Sequence, residues 1–190
     1  RSALQIADDV DFLGADLGTA SSFAATAVRL HVPVARLAEA LPIMADVVLR
    51  PTFPQEELNR LRQQRLTAIL QARDEPETIV AQAFPRVLYG PSHRYGTAMV
   101  GTAATVAAFT TADLRGQYAS SFRPNNSALI VVGDVVPDRL QPLLEASFGG
   151  WKPDTSATAG RLPVVDQPAK REVHIVDKPG APQSQIRIGW

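Results

Sequence analysis

Hydrophobic residues recur at helical spacing at the start of the chain. Ala3, Ile6, Ala7, Val10 and Leu13 predict a first helix, Ser2 and Gln5 stand at capping-box spacing, and Gly14 supplies a stop. The helical period is then lost. Val28, Leu30 and Val32 alternate with Arg29 and His31, so Leu17 to Val32 predicts one long strand. The first half of that strand, Gly18-Thr19-Ala20-Ser21-Ser22, is small and weakly apolar, which suits a sheet edge.

Pro33 fits the first turn of a second helix with Leu37, Leu41, Met44, Ala45 and Val48 inward. Pro42 within that stripe predicts a kink or a late start. A long helix follows from Pro54 to about Arg73, with Leu58, Leu61, Leu66 and Ile69 as its buried residues. The next helix is expected to be capped by Asp74, with Pro76 in its first turn and Ile79, Val80, Ala83, Phe84, Val87 and Leu88 on its face. Tyr89 to Gly96 reads as a Gly/Pro loop. Short helices are predicted over 103–108 and 111–121, a buried strand over Ala128–Val132, and an amphipathic helix over Pro137–Phe148. From Lys152 to about Arg171 the periodicity stops and the composition is that of a linker. Glu172–Asp177 and Ser184–Gly189 then predict two strands around Lys178-Pro179-Gly180-Ala181-Pro182. Both termini look cut, since a helix opens the chain and a strand pair closes it.

Composition narrows the possible chemistry. The 190 residues carry 19 Lys+Arg and 19 Asp+Glu, a balance that argues against nucleic acid or an anionic membrane as partner. No apolar run approaches the roughly 20 residues that span a bilayer. With no cysteine, thiol nucleophiles, disulfides, Cys-type zinc sites and iron–sulfur clusters are excluded. His31, His93 and His174 are too scattered for a paired-His ligand set, and no H-E-x-x-H or H-x-x-E-H occurs. All three read as ordinary polar residues, His93 in its loop included. Glu56, Glu57, Asp74, Glu75 and Glu77 complement helix N-termini, and Asp134 reads as a turn residue after Gly133. Arg60, Arg62 and Arg65, interleaved with Gln and without aromatics, read as a solvated helix face. No phosphate loop and no G-x-S-x-G elbow is present. The residues alone therefore describe a soluble α+β domain without a complete catalytic set.

A series of short segments adds a resemblance. Arg1-Ser2-Ala3-Leu4-Gln5-Ile6-Ala7-Asp8, Leu13-Gly14-Ala15 and Leu49-Arg50-Pro51-Thr52-Phe53-Pro54 come first. Arg73-Asp74-Glu75-Pro76, Leu88-Tyr89-Gly90, Gly101-Thr102 and Asp113-Leu114 follow. Phe122-Arg123-Pro124-Asn125-Asn126 and Val131-Val132-Gly133-Asp134-Val135 close the series. In this order they resemble the insulinase/pitrilysin family of zinc metallopeptidases over about residues 1–151. Gln183 to Gly189 resembles the first strand of a following homologous domain.

The resemblance implies a mostly antiparallel sheet covered by helices on one side, an insulinase or mitochondrial-processing-peptidase-like domain. It implies a domain over 1–151 with its first strands and metal motif upstream, a linker over 152–171, and the start of a second homologous domain over 172–190. The family's zinc is held by an H-x-x-E-H motif, expected upstream of Arg1, and by a Glu on a later helix. That Glu aligns with Ala68, in Leu66-Thr67-Ala68-Ile69-Leu70. Alanine has no lone pair for zinc, so the resemblance implies a non-catalytic member or half, inactive by itself, that pairs with an active domain or subunit. Zinc is then expected in the full-length member or its active partner, with no metal ligand and no catalytic residue in this chain.

Family members receive extended peptides along an edge strand. The matching positions are Leu17, Gly18, Thr19, Ala20 and Ser21, and a plain edge blunted by small residues is the other reading of the same stretch. Two further readings stay open: an active zinc endopeptidase whose motif lies outside these residues, and a structural core-type subunit of a larger complex. The expected compartment is a bacterial periplasm or other exported location, with which the absence of cysteine is compatible.

Overall fold

The computed structural model describes residues 1–153, 162–166 and 170–189. Two compact units emerge, one from Arg1–Phe53 with the stretch beginning at Ala112, the other from Pro54–Thr111 with the C-terminal segments. Much of the predicted linker, at 154–161 and 167–169, lies outside the described residues.

The first unit opens with α1 (Ala3–Phe12). Its capping box forms as the spacing predicts: the Gln5 N–H donates to Ser2 Oγ at 3.2 Å and the Ser2 N–H to Gln5 Oε1 at 2.8 Å. Gly14, at φ +61°, provides the left-handed residue that ends the helix. The expected single strand is a hairpin, β1 (Asp16–Ser21) antiparallel to β2 (Thr26–His31). Its turn has none of the Gly, Pro or Asn that signals one in sequence. Ser22 builds it instead, its Oγ accepting from the Ala24 and Ala25 N–H groups at 3.2 and 3.1 Å. The Ser22 N–H also donates to the Ala25 carbonyl at 2.8 Å.

After Pro33 one 3₁₀ turn (Val34–Arg36) precedes α2 (Leu37–Leu49). Ala40, Leu41, Ile43, Ala45 and Val48 are its buried residues, so the inward stripe is rotated from the predicted one and leaves Met44 half-buried. Pro42 stays within the helix. Val10 and Leu13 of the α1 end meet Ala40 and Ile43, and Leu17, Leu30 and Val32 pack on this cluster, closing one face of the hairpin. Beyond these lie α6 (Thr111–Ser121) and α7 (Pro137–Phe148), both with the predicted bounds, and α7 packs on α2. Tyr118 of α6 donates its phenol to the Val48 carbonyl at 2.7 Å, stacks on Phe122 and meets the edge of Phe53.

Residues 128–132 do not form the predicted strand. They run without a ladder partner among the described residues, and Ile130 and Val132 are 81% and 91% exposed. An apolar run becomes a buried strand only where neighbours on both edges take up its N–H and C=O groups.

The second unit holds α3 (Gln55–Ala72), α4 (Pro76–Tyr89) and α5 (Ala103–Ala108), the last with a Thr102/Thr105 capping box. The expected buried stripe of α3 is only half covered, and Leu61 is 52% exposed. Glu75, not Asp74, occupies the N-cap position of α4. Asp74 pairs instead with Lys178, whose Nζ lies 2.8 Å from its carboxylate and holds its pKa below the usual value. The predicted strands at 172–177 and 184–189 do not form among the described residues, and Val173, Ile175, Ile186 and Ile188 are all exposed. Lys178 to Ala181 between them closes a turn, with the Ala181 N–H donating to the Lys178 carbonyl at 3.2 Å and Gly180 at φ +80°, yet no ladder forms on either side among the described residues.

Tyr118→Phe removes the bond to Val48 and is expected to lower stability by about 1 kcal/mol in urea unfolding. Burial raises the Tyr118 pKa above its ordinary value near 10.0. Its stabilisation is therefore complete below that value and is lost as pH rises through the raised one, a loss that Tyr118→Phe should abolish.

Candidate functional site

Leu17, Gly18, Thr19, Ala20 and Ser21 all lie in β1, and the ladder defines what each presents. Opposite pairs are Leu17 with Leu30, Gly18 with Arg29, Thr19 with Val28, Ala20 with Ala27 and Ser21 with Thr26. The bond from the Ser22 N–H to the Ala25 carbonyl makes that pair a hydrogen-bonded one. Alternation then makes Ser21/Thr26, Thr19/Val28 and Leu17/Leu30 the non-bonded pairs. The 3.0 Å contact between Ser21 Oγ and Thr26 Oγ1 fits such a pair, where side chains come closest. Leu17, Thr19 and Ser21 therefore turn their N–H and C=O groups away from β2, toward the open edge.

The side chains divide by face. Leu17 and Leu30 pack on the core, which puts Thr19 and Ser21 on that same side. Asp16, Gly18 and Ala20 look outward beside His31, Arg29 and Ala27. A Cβ added at Gly18 would meet nothing within 4 Å. No third strand pairs with either edge among the described residues.

Ala68 lies in the third quarter of α3, exposed to solvent. The only carboxylates of that helix are Glu56 and Glu57 in its first turn, and Glu57 pairs with Arg60 at 2.8 Å. Among the described residues no three His, Cys, Asp or Glu come together as a possible metal site. The donors on α3 thus do not suit a zinc ion at position 68. No helix of the described residues is long and apolar enough to cross a membrane.

Two residues, His93 and Arg62, behave differently from their sequence reading. His93 is buried, stacked on Tyr89 with ring centroids 5.3 Å apart and close to Tyr95. Its Nδ1 accepts from the Tyr95 N–H, so Nε2 carries the proton and donates to the Pro163 carbonyl at 3.2 Å. Both nitrogens serve backbone groups, which makes it a structural clamp; the flanking tyrosines were the available sign of a buried ring. Gly96 beside it admits no side chain, since an added Cβ would fall 1.9 Å from the Gly90 carbonyl oxygen. Arg62 is not part of a solvated face, because its guanidinium bonds Asn59 Oδ1 and the Phe109 carbonyl and so ties α3 to the stretch after α5.

Comparison with known proteins supplies the context. A model described as insulinase (peptidase family M16) matches residues 1–98, and one described as the peptidase M16 inactive domain matches residues 108–190. The chain is 29% identical over 164 residues to an uncharacterized zinc protease of Mycobacterium tuberculosis (strain ATCC 25618 / H37Rv), covering 86% of this chain and 36% of that protein. A crystal structure of a peptidase M16 inactive domain from Pseudomonas fluorescens aligns with a TM-score of 0.76 and 27% identity, over 89% of this chain and 40% of that one. The first half of the periplasmic protease PqqL from Escherichia coli shares the fold, with a TM-score of 0.64 at 23% identity over 78% of this chain and 32% of that chain. The chain thus spans well under half the length of these proteins.

Ala68→Glu adds one carboxylate where no second or third donor stands among the described residues. Calorimetric titration of this chain with zinc should show no stoichiometric binding before or after the substitution; one zinc bound per unsubstituted chain would overturn the reading of Ala68.

Proposed function

Because the chain belongs to the insulinase family, peptidase family M16, we propose that it is part of the non-catalytic half or subunit of a metalloendopeptidase. In this reading it walls a peptide-binding chamber and pairs with a second insulinase-type domain, into which residues 172–190 lead. Extended peptides lie along β1. Zinc and catalysis belong to the active partner domain, and the assembly works in the periplasm or another exported location. Ala68 is the observation that carries the reading: a solvent-exposed methyl stands where the resemblance calls for a metal-binding Glu, and α3 offers no other carboxylate beyond its first turn. The match of residues 108–190 to the M16 inactive domain supports it.

The open edge of β1 supports the peptide role. Backbone pairing supplies affinity without requiring a charged surface, which suits a neutral chain. Gly18 and Ala20 let another backbone come close. A second reading, an active zinc peptidase with its metal motif elsewhere in the protein, is favoured by the 29% identity to a protein named a zinc protease.

Metal analysis and a peptide-cleavage assay of the full-length protein, alone and with an active M16 partner, separate the two. The non-catalytic reading expects cleavage only with the partner. Zinc and cleavage by the protein alone, both lost on substituting its metal motif, would establish the other. Thr19→Pro removes an outward donor from β1 without touching the bonds to β2, and should weaken binding of an extended peptide about two- to tenfold. Val28→Pro, the matching change at the ladder partner of Thr19 on the β2 edge, should leave that affinity within twofold; fluorescence anisotropy with a labelled peptide measures both.

A further inference from the structure

We propose that Arg29 selects peptides carrying an acidic side chain, Glu in particular, at the position paired with Gly18. The inference rests on the reading of β1 as the peptide-bearing edge and names the substrate class that edge prefers.

Arg29 stands on the outer face of the hairpin, directly across from Gly18. It is exposed and makes no hydrogen bond or ion pair with any described residue. Several other arginines of this unit are engaged: Arg36 with Glu39, Arg50 with Asp46, Arg115 with the Thr52 carbonyl. The open space above Gly18 leaves nothing between Arg29 and the far edge of β1.

A peptide pairing antiparallel with that edge bonds to Leu17, Thr19 and Ser21. The residue it sets against Gly18 then falls in a non-hydrogen-bonded pair, where backbones approach to about 4.5 Å. The side chain of that residue shares the outer face with Arg29. Two strand spacings, about 9.5 Å, separate their backbones. Glycine between them offers no obstruction, so a long guanidinium stem and a glutamate can meet above it. Aspartate, one methylene shorter, reaches less far.

The guanidinium fork matches a carboxylate in geometry and charge. Asp16 and His31 are the neighbouring pair on the same face. Asp16 carries the only acidic side chain of β1, and it lies next to the Gly18 position. A single acidic peptide residue opposite Gly18 is thus favoured, and a second one beside Asp16 is repelled.

The test uses the full-length protein and nine-residue Thr/Val peptides bearing Glu, Asp, Gln or Lys at the centre. Anisotropy should give an affinity order of Glu, Asp, Gln, Lys, with Glu over Gln by about two- to fivefold at low salt and a smaller ratio at high salt. Arg29→Gln should level the series, and Arg29→Glu should reverse it in favour of Lys. Melting curves identify any variant that fails to fold, and the unsubstituted protein's peptide order decides the matter in that case. Equal affinity for all four peptides, unaffected by either substitution, would overturn the role of Arg29 while leaving the edge reading intact. No binding of any peptide overturns both.

Discussion

The seam between Leu17 and Leu30 and the helices behind them is what the first unit depends on. A two-stranded hairpin by itself is marginal in water. Here the paired leucines lie on Val10 and Leu13 from α1 and on Ala40 and Ile43 from α2, so the hairpin gains an apolar backing. The same contact decides register. A slip by one residue would carry Leu17 to the solvent side and turn Gly18 and Ala20 inward, giving up that burial. The outward direction of Arg29 and the edge-facing groups of Leu17, Thr19 and Ser21 are therefore consequences of core packing.

The second unit is held in another way. Neither α3 nor α4 contains a buried residue, and Val106 of α5 is the buried hydrophobic there among the described residues. Polar ties take up much of the task. Arg62 reaches the Phe109 carbonyl, His93 joins its loop to Pro163, and Lys178 and Arg187 hold the C-terminal segment to Asp74 and Glu77. Exposed ion pairs of this kind contribute little each. His93 differs from them because it is buried and both nitrogens are spoken for.

Recognition and metal chemistry make different demands on a chain. Zinc hydrolysis needs three protein donors converging on one point, and a single Ala in place of a carboxylate removes one of them. Strand pairing needs only an open run of N–H and C=O groups and side chains small enough to admit another backbone. A domain can lose the first and retain the second.

Local signals made the helices legible in the sequence. The Ser2/Gln5 capping box, Gly14 and the prolines at 76 and 137 act within a turn of where they stand, so α1, α4 and α7 begin where those signals place them, and α5 and α6 have the expected bounds as well. The hairpin was not legible, because Ser22 makes its turn with a side-chain oxygen and leaves no Gly or Pro to mark it. Nor was the burial of His93, which depends on a carbonyl 70 residues away. Sequence by itself determined the helical frame and the charge balance of the chain, both properties of residue identity and short spacing. Tertiary structure decided which face of β1 looks out, what Arg29 stands across from, and which apolar runs stay unpaired, because each of these depends on a partner distant in the chain.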